Sequence, residues 1–257
     1  MRKKPVKAII LFFTISVVLF VLFFDGRKGQ SPFTTRNNQL LTQQSTSDSS
    51  LSNSEDVQEA SIRIDVPLES QFDEVALGNG CEVTALSMLL NYYGVETNKN
   101  ALAERIHYVP VHEDATYRGD PREGFVGNIY GGDAAMGVDV EPIAEVAAQV
   151  VPEGMQIISG RDKSFDEIIT VLETGTPIWM IATLELQVPT NNDFFTWETR
   201  NGQIYVTTLI HSVVITGIEG DTMYVNDPYG HKDRSVSKTD LATIYQKMGQ
   251  QYLYLQK

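Results

Sequence analysis

An α+β fold is predicted for residues 61–257, on two observations. Apolar residues recur at three- and four-residue spacing in the first half of this stretch, and short β-rich runs dominate the second half. The helical and strand patterns also follow one another in blocks instead of alternating, which favours helices beside an antiparallel sheet over a βαβ architecture.

The first 25 residues read as a membrane anchor. Arg2, Lys3, Lys4 and Lys7 precede an apolar run at 8–24 that only Thr14 and Ser16 interrupt. A helix of that length reaches about 26 Å, against a hydrocarbon core of roughly 30 Å. The run ends Leu22-Phe23-Phe24-Asp25-Gly26, without the small residues of a signal-peptide cleavage site, so an uncleaved transmembrane signal-anchor is expected. The basic excess before it places the N-terminus in the cytoplasm and the remainder outside a cell membrane crossed once. No cysteine follows the run closely, so there is no acceptor for lipid attachment. Residues 26–60, dominated by Ser, Thr, Gln and Asn without periodicity, read as a disordered linker. Residues 61–257 are long enough for one domain with a proper core.

Within that domain a strand is expected at 62–66, closed by Pro67. A loop carrying Gln71 ends in Gly78-Asn79-Gly80, directly before Cys81. Val83, Leu86, Leu89, Leu90 and Tyr93 then predict an amphipathic helix over 81–93, with Gly94 at its C-terminal cap. A second helix is expected from about 98–101. Residues 108–137, rich in Gly, Asp, Pro and aromatics, read as a long irregular stretch that could cover a cleft. Helical patterns return at 140–149 and 164–173, the latter opened by a Ser164/Glu167 capping box. Strands are expected at 177–186, 202–208, 212–218 and 223–226, then a helix at 238–248 and a terminal strand.

Charge and composition exclude several functions. Residues 61–257 hold 13 Lys and Arg against 28 Asp and Glu, a net of −15, so nucleic acid is a poor partner. The four histidines are scattered, with no HExxH and no cysteine pair, so neither a metal nor another cofactor is expected. Arg118-Gly119-Asp120 spells an adhesion tripeptide, for which chance is the better explanation in a chain of this length.

The single cysteine carries the chemistry. Alone, it cannot form an intramolecular disulfide. At the first turn of a helix, however, a thiol lies beside free N–H groups at the positive end of the dipole, an arrangement that lowers its pKa and supplies an oxyanion donor. Such a nucleophile needs a histidine, and the histidine needs an orienting group. His211 opens the apolar run 212–218, and the next strand ends Asn226-Asp227-Pro228. If Glu219, Gly220 and Asp221 form a three-residue hairpin loop, paired residues sum to 440. His211 then faces position 229 and has Asp227 as its diagonal neighbour on one face, whereas a two-residue loop would separate them. Gln71 is either a side-chain oxyanion donor or a solvated loop residue. Trp179 and Trp197 read as core or cleft-wall aromatics.

Val66-Pro67-Leu68, Gln71, the block from Gly80-Cys81-Glu82 to Tyr93-Gly94, His211-Ser212-Val213-Val214 and Asn226-Asp227-Pro228 together resemble papain-like cysteine peptidases that process bacteriocin leaders. The closer similarity is to the stand-alone, secreted or membrane-anchored branch of Gram-positive bacteria. The resemblance implies a papain-like fold, with Cys81 as nucleophile, His211 as base and acid, Asp227 as orienter and Gln71 as oxyanion donor. It differs from transporter-linked members, which carry an Asp-Cys-Gly-type block and a closer glutamine; no ATP-binding P-loop is present here. The expected function is extracytoplasmic hydrolysis of a peptide or protein substrate through an acyl-enzyme. The alternatives are cell-wall amidase or transpeptidase chemistry, and an idle fold that binds peptides or wall polymer.

Overall fold

The structure, a computed structural model, describes residues 61–132 and 135–257. The expected anchor and linker lie outside the described residues, and among those described no helix is long and apolar enough to cross a membrane. Strand β1 (Ser61–Arg63) leads through a loop to α1 (Cys81–Tyr92) and α2 (Lys99–Ala103). A short parallel pair, β2 (Tyr108–Val109) and β3 (Phe125–Val126), is followed by α3 (Val140–Ala148), β4 (Gln156–Gly160), α4 (Phe165–Glu173) and β5 (Ile178–Thr183). The hairpin of β6 (Phe195–Thr199) and β7 (Gly202–Val206) precedes β8 (Ile210–Glu219), β9 (Thr222–Asp227), β10 (His231–Ser237), α5 (Lys238–Lys247) and β11 (Tyr252–Gln256).

The main sheet runs β10-β9-β8-β5-β11-β4, with β1 paired to the far end of β8, and every pairing in it is antiparallel. Successive side chains of a strand point to opposite faces, so the unbroken burial of residues 211–218 shows that both faces of β8 are covered. The fold is thus the predicted α+β class.

Helix α1 begins at Cys81, as expected, and closes with a Schellman arrangement in which Gly94 N–H donates to Asn91 and Val95 N–H to Leu90. Its burial differs from the amphipathic expectation: every residue from Cys81 to Leu90 is buried, Glu82, Thr84 and Ser87 included. Tertiary partners absorb the polar groups. Thr84 Oγ1 donates to the Gly80 carbonyl at 2.7 Å, and Asn91 Nδ2 reaches Ser87. The capping box of α4 forms as predicted, Ser164 and Glu167 bonding each other's backbone N–H.

Strands β4, β6 and β10 were not expected from the sequence, and β5 is shorter than its predicted 177–186. After Thr183 the chain turns through Glu185 (φ 56°) and Leu186 (φ 53°), a left-handed backbone that no β pattern encodes. The 108–137 stretch is anchored, with Phe125, Val126 and Ile129 fully buried and Trp197 Nε1 donating to the Gly119 carbonyl at 2.9 Å. Asp120 is also buried, bonded by Arg122, Thr199 and Asn201, so the Arg-Gly-Asp tripeptide offers no free aspartate.

The β8–β9 hairpin corrects the sequence expectation. Its loop has two residues, Gly220 and Asp221, because Glu219 pairs with Thr222 and Gly217 with Tyr224, a register summing to 441. A bulge at Thr216 then inserts one extra residue on β8, and beyond it Ile215 pairs with Val225 and Val214 with Asn226, the register of 440. The bulge restores the parity that the shorter loop removes.

Beside the bulge, β1 passes so close that a Cβ on Gly217 would meet the Ile62 carbonyl oxygen at 2.4 Å. Gly217→Ala should therefore destabilise the domain by about 1–3 kcal/mol. Urea unfolding measures this, and an unchanged midpoint would contradict the β1–β8 pairing.

Candidate active site

His211, at the second position of β8, is buried, and its Nε2 lies 2.8 Å from Oδ1 of Asp227 at the end of β9. This is the diagonal pair that the 440 register brings to one face. Burial opposes ionisation of Asp227. The hydrogen bond and charge of His211, the Tyr229 N–H at 2.9 Å and the Arg234 guanidinium at 2.8 Å outweigh it and hold the carboxyl at about 2. An ionised carboxylate only accepts hydrogen bonds, so Nε2 carries a proton, and Nδ1 presents a lone pair whenever the ring is neutral. Nδ1 is buried and has no hydrogen-bond partner among the described residues.

Cys81 is the first residue of α1, and its surroundings place it at the same site. The backbone N–H of Ser212, one residue beyond His211, acts on the thiol and favours its ionised form. Tyr229 packs edge-on against the His211 ring at 4.9 Å, and burial, followed by the charge a Cys81 thiolate would carry, raises its pKa. Phe72 packs on Tyr229 in turn, at 5.2 Å, and is half exposed.

The thiol does not have the lowered pKa expected of a helix N-terminus. Burial, then the charge of Glu82 and a hydrogen bond from Sγ to Glu82 Oε2 at 3.4 Å, push it well above its ordinary value. The N–H groups of Ser212 and Cys81 act in the opposite direction and do not compensate. A dipole effect of a fraction of a kcal/mol to about 2 kcal/mol is smaller than the cost of a buried charge beside a carboxylate. Cys81 is a neutral thiol in this arrangement, bonded to Glu82 and not to His211.

Glu82 is the functional candidate that sequence reasoning missed. It is buried, its Oε1 accepts the Val138 N–H at 3.3 Å, and desolvation raises its pKa to about 7. The folded protein holds that proton to higher pH than the unfolded chain does. Its contribution therefore favours folding on the acid side and is lost as pH rises through about 7. Glu82 directly follows the cysteine, but a helix-surface glutamate reads identically in sequence; only burial distinguishes it.

Arg234 was also missed, because β10 was not expected. It bridges Asp227 Oδ2 to Glu185, whose Oε2 it meets at 2.8 Å, and so connects the carboxylate to the left-handed turn after β5.

Gln71 lies in the loop before Cys81, where its amide donates to the carbonyls of Leu77 at 3.1 Å and Gly78 at 3.0 Å. Both amide hydrogens are engaged in bracing that loop, and the buried Oε1 has no partner. Trp179 is a core residue whose indole donates to the Glu82 carbonyl at 3.0 Å. Of the other histidines, His112 meets Arg118 at 3.0 Å, and His231 is exposed on β10. Among the described residues no cluster of His, Cys, Asp and Glu could hold a metal.

A cavity of about 690 Å³ is walled by Met136, Phe194, Ile204, Ile210 and Met248, with Arg122 and Arg161 among its polar residues. None of Cys81, His211 or Asp227 lines it.

The depressed Asp227 pKa makes its pairing a source of stability that is present above about pH 4 and lost as pH falls toward 2. The shift corresponds to about 2 kcal/mol. Chemical denaturation at pH 4 and pH 2 should show that loss in the parent protein and its absence in Asp227→Asn.

Comparison with known proteins places these features in a family. The model of the Peptidase_C39 like family matches residues 63–253. A Bacillus subtilis (strain 168) protein, described as uncharacterized protein YvpB, is 34% identical over 248 residues, spanning 96% of this chain and 97% of that one. The crystal structure of a proposed C39-like peptidase from Bacillus anthracis superposes with a TM-score of 0.71 at 32% identity, covering 77% of this chain and 98% of that one. The chain therefore belongs to the Peptidase_C39 like family.

Proposed function

We propose that the protein is an extracytoplasmic cysteine peptidase that hydrolyses peptide bonds through Cys81, His211 and Asp227. The observation that carries this reading is the buried, unpartnered Nδ1 of His211, whose Nε2 is committed to Asp227, beside the chain's only cysteine at the start of a helix. A buried lone pair without a donor is costly in an ordinary core and is what a general base requires.

In the reaction, Nδ1 takes the thiol proton and the sulfur attacks the scissile carbonyl carbon. The backbone N–H of Cys81 donates to the resulting oxyanion. Gln71 joins it by releasing one of its two loop carbonyls. The imidazolium, balanced by Asp227, protonates the leaving amine, and the remaining thioester is hydrolysed by water that His211 deprotonates. The basic and apolar first 24 residues support anchorage of the domain outside the membrane.

One observation favours a second reading, an idle fold that binds peptides: the thiol is neutral and bonded to Glu82. Labelling with a thiol-directed peptide electrophile separates the two. Stoichiometric modification is expected in the parent, none in Cys81→Ala, and a loss of about 10²-fold or more in rate in His211→Ala. An unlabelled parent protein that still retains wall polymer would establish the binding reading. Amidase action on cell-wall peptides is tested by chromatography of digested peptidoglycan, where released stem peptides would identify it.

A further inference from the structure

Resting on the peptidase reading, we propose that Glu82 is a positioning residue that latches the nucleophile: its carboxylate holds the Cys81 thiol away from His211, and protonation of the carboxylate releases the sulfur to the imidazole.

The geometry is specific. Sγ has one side-chain hydrogen-bond partner, Glu82 Oε2 at 3.4 Å, while the lone pair of His211 Nδ1 has none. The two carboxylate oxygens are held separately, Oε2 by the thiol and Oε1 by the Val138 N–H. The space is shaped around this side chain. Gly137 adopts φ +74°, and a Cβ there would lie 2.3 Å from Glu82 Oε1. The backbone of Glu82 is fixed as well, by the Trp179 indole. A buried glutamate in a rigid seat of this kind is more than a solvated helix residue that happens to follow the cysteine.

The charged and titratable groups around it fix the direction of the effect. Cys81 faces it from α1 itself. Asp139, at the start of α3, adds a negative charge nearby, offset by Arg161, which bonds Asp139 at 2.7 Å and also binds Glu141. Arg122, at the same cavity, is paired to Asp120. Beyond α1, His211 and Asp227 stand bonded to each other, with Tyr229 packed on the imidazole.

With Glu82 ionised, a thiolate would sit beside a carboxylate in a dry site, so the proton stays on sulfur. Once Glu82 takes a proton from solvent, that repulsion is gone. Sγ can turn to Nδ1, its proton passes there, and the product is a thiolate beside an imidazolium that Asp227 balances. The proton count closes: one is gained from solvent by Glu82, and one moves from sulfur to nitrogen.

The test is the pH dependence of iodoacetamide alkylation of the full chain, in which Cys81 is the only thiol. The parent rate should fall as pH rises through about 7, where Glu82 ionises, and recover in strongly alkaline solution. In Glu82→Gln the fall should vanish, leaving a rate near the parent's at pH 5.5 and on the order of tenfold higher at pH 8. A constant ratio across pH, with a reactive thiol in both proteins, overturns the latch and leaves the peptidase reading intact. A thiol inert in both at every pH overturns the peptidase reading and the latch with it. Carbon-13 titration of glutamate carboxyls in the unaltered chain gives a check that does not depend on the variant folding. One midpoint near 7 supports the latch, and titration of every glutamate below pH 5.5 overturns it.

Discussion

The contact between His211 and Asp227 is the constraint on which the rest of the site depends. A carboxylate buried to this degree is unfavourable unless both of its oxygens are hydrogen-bonded. Asp227 meets that requirement with three donors drawn from three segments: the β8 imidazole, the Tyr229 N–H in the turn after β9, and the β10 guanidinium of Arg234. Arg234 is held in turn by Glu185, where two successive non-glycine residues adopt left-handed backbone. Such positions cost about 1 kcal/mol or more each. Here the strain is located where it aims Glu185 at Arg234, so the turn after β5, the edge strand β10 and the β8–β9 pairing all serve one carboxylate.

That pairing relies on a defect. Without the bulge at Thr216, a two-residue loop would carry His211 and Asp227 to opposite faces of the sheet, since one residue of slip reverses every side chain. The bulge is itself secured. The Thr216 hydroxyl donates to Asp233 at 2.8 Å, its carbonyl accepts the Ile64 N–H at 2.8 Å, and Gly217 admits β1 at contact distance. Asn226 continues the bracing, its side chain donating to the Val66 carbonyl and accepting the Asp233 N–H. The Val66-Pro67 and Asn226-Asp227-Pro228 segments that looked like separate sequence motifs are one hydrogen-bonded structure.

These details show what the sequence could and could not display. Helices α1, α3, α4 and α5 were legible because periodicity and caps are local, and Ser164 with Glu167 encodes its own start. The Cys81, His211 and Asp227 blocks were legible by type and order. The pairing of His211 with Asp227 was anticipated through the wrong loop length, because a bulge depends on a third strand that no local pattern reports. Strand β10 was unreadable for a related reason: His231 to Ser237 is largely polar and exposed, and it forms a strand only by pairing with β9. Burial of Glu82 was equally hidden, since the walls that enclose it, Val138 and Gly137, lie more than fifty residues away.

The position of Glu82 also changes what a helix N-terminus does at this site. Dipole and free N–H groups favour a thiolate, and burial together with the adjacent carboxylate opposes it by a larger amount, so the helix N-terminus does not set the outcome. The same sulfur, a thiol beside Glu82, shares its site with an imidazole that Asp227 holds through Nε2 and whose Nδ1 has no partner among the described residues. The site thus combines two carboxyl groups, one bonded to the thiol and one to the imidazole, whose environments separate their pKa values from about 7 to about 2.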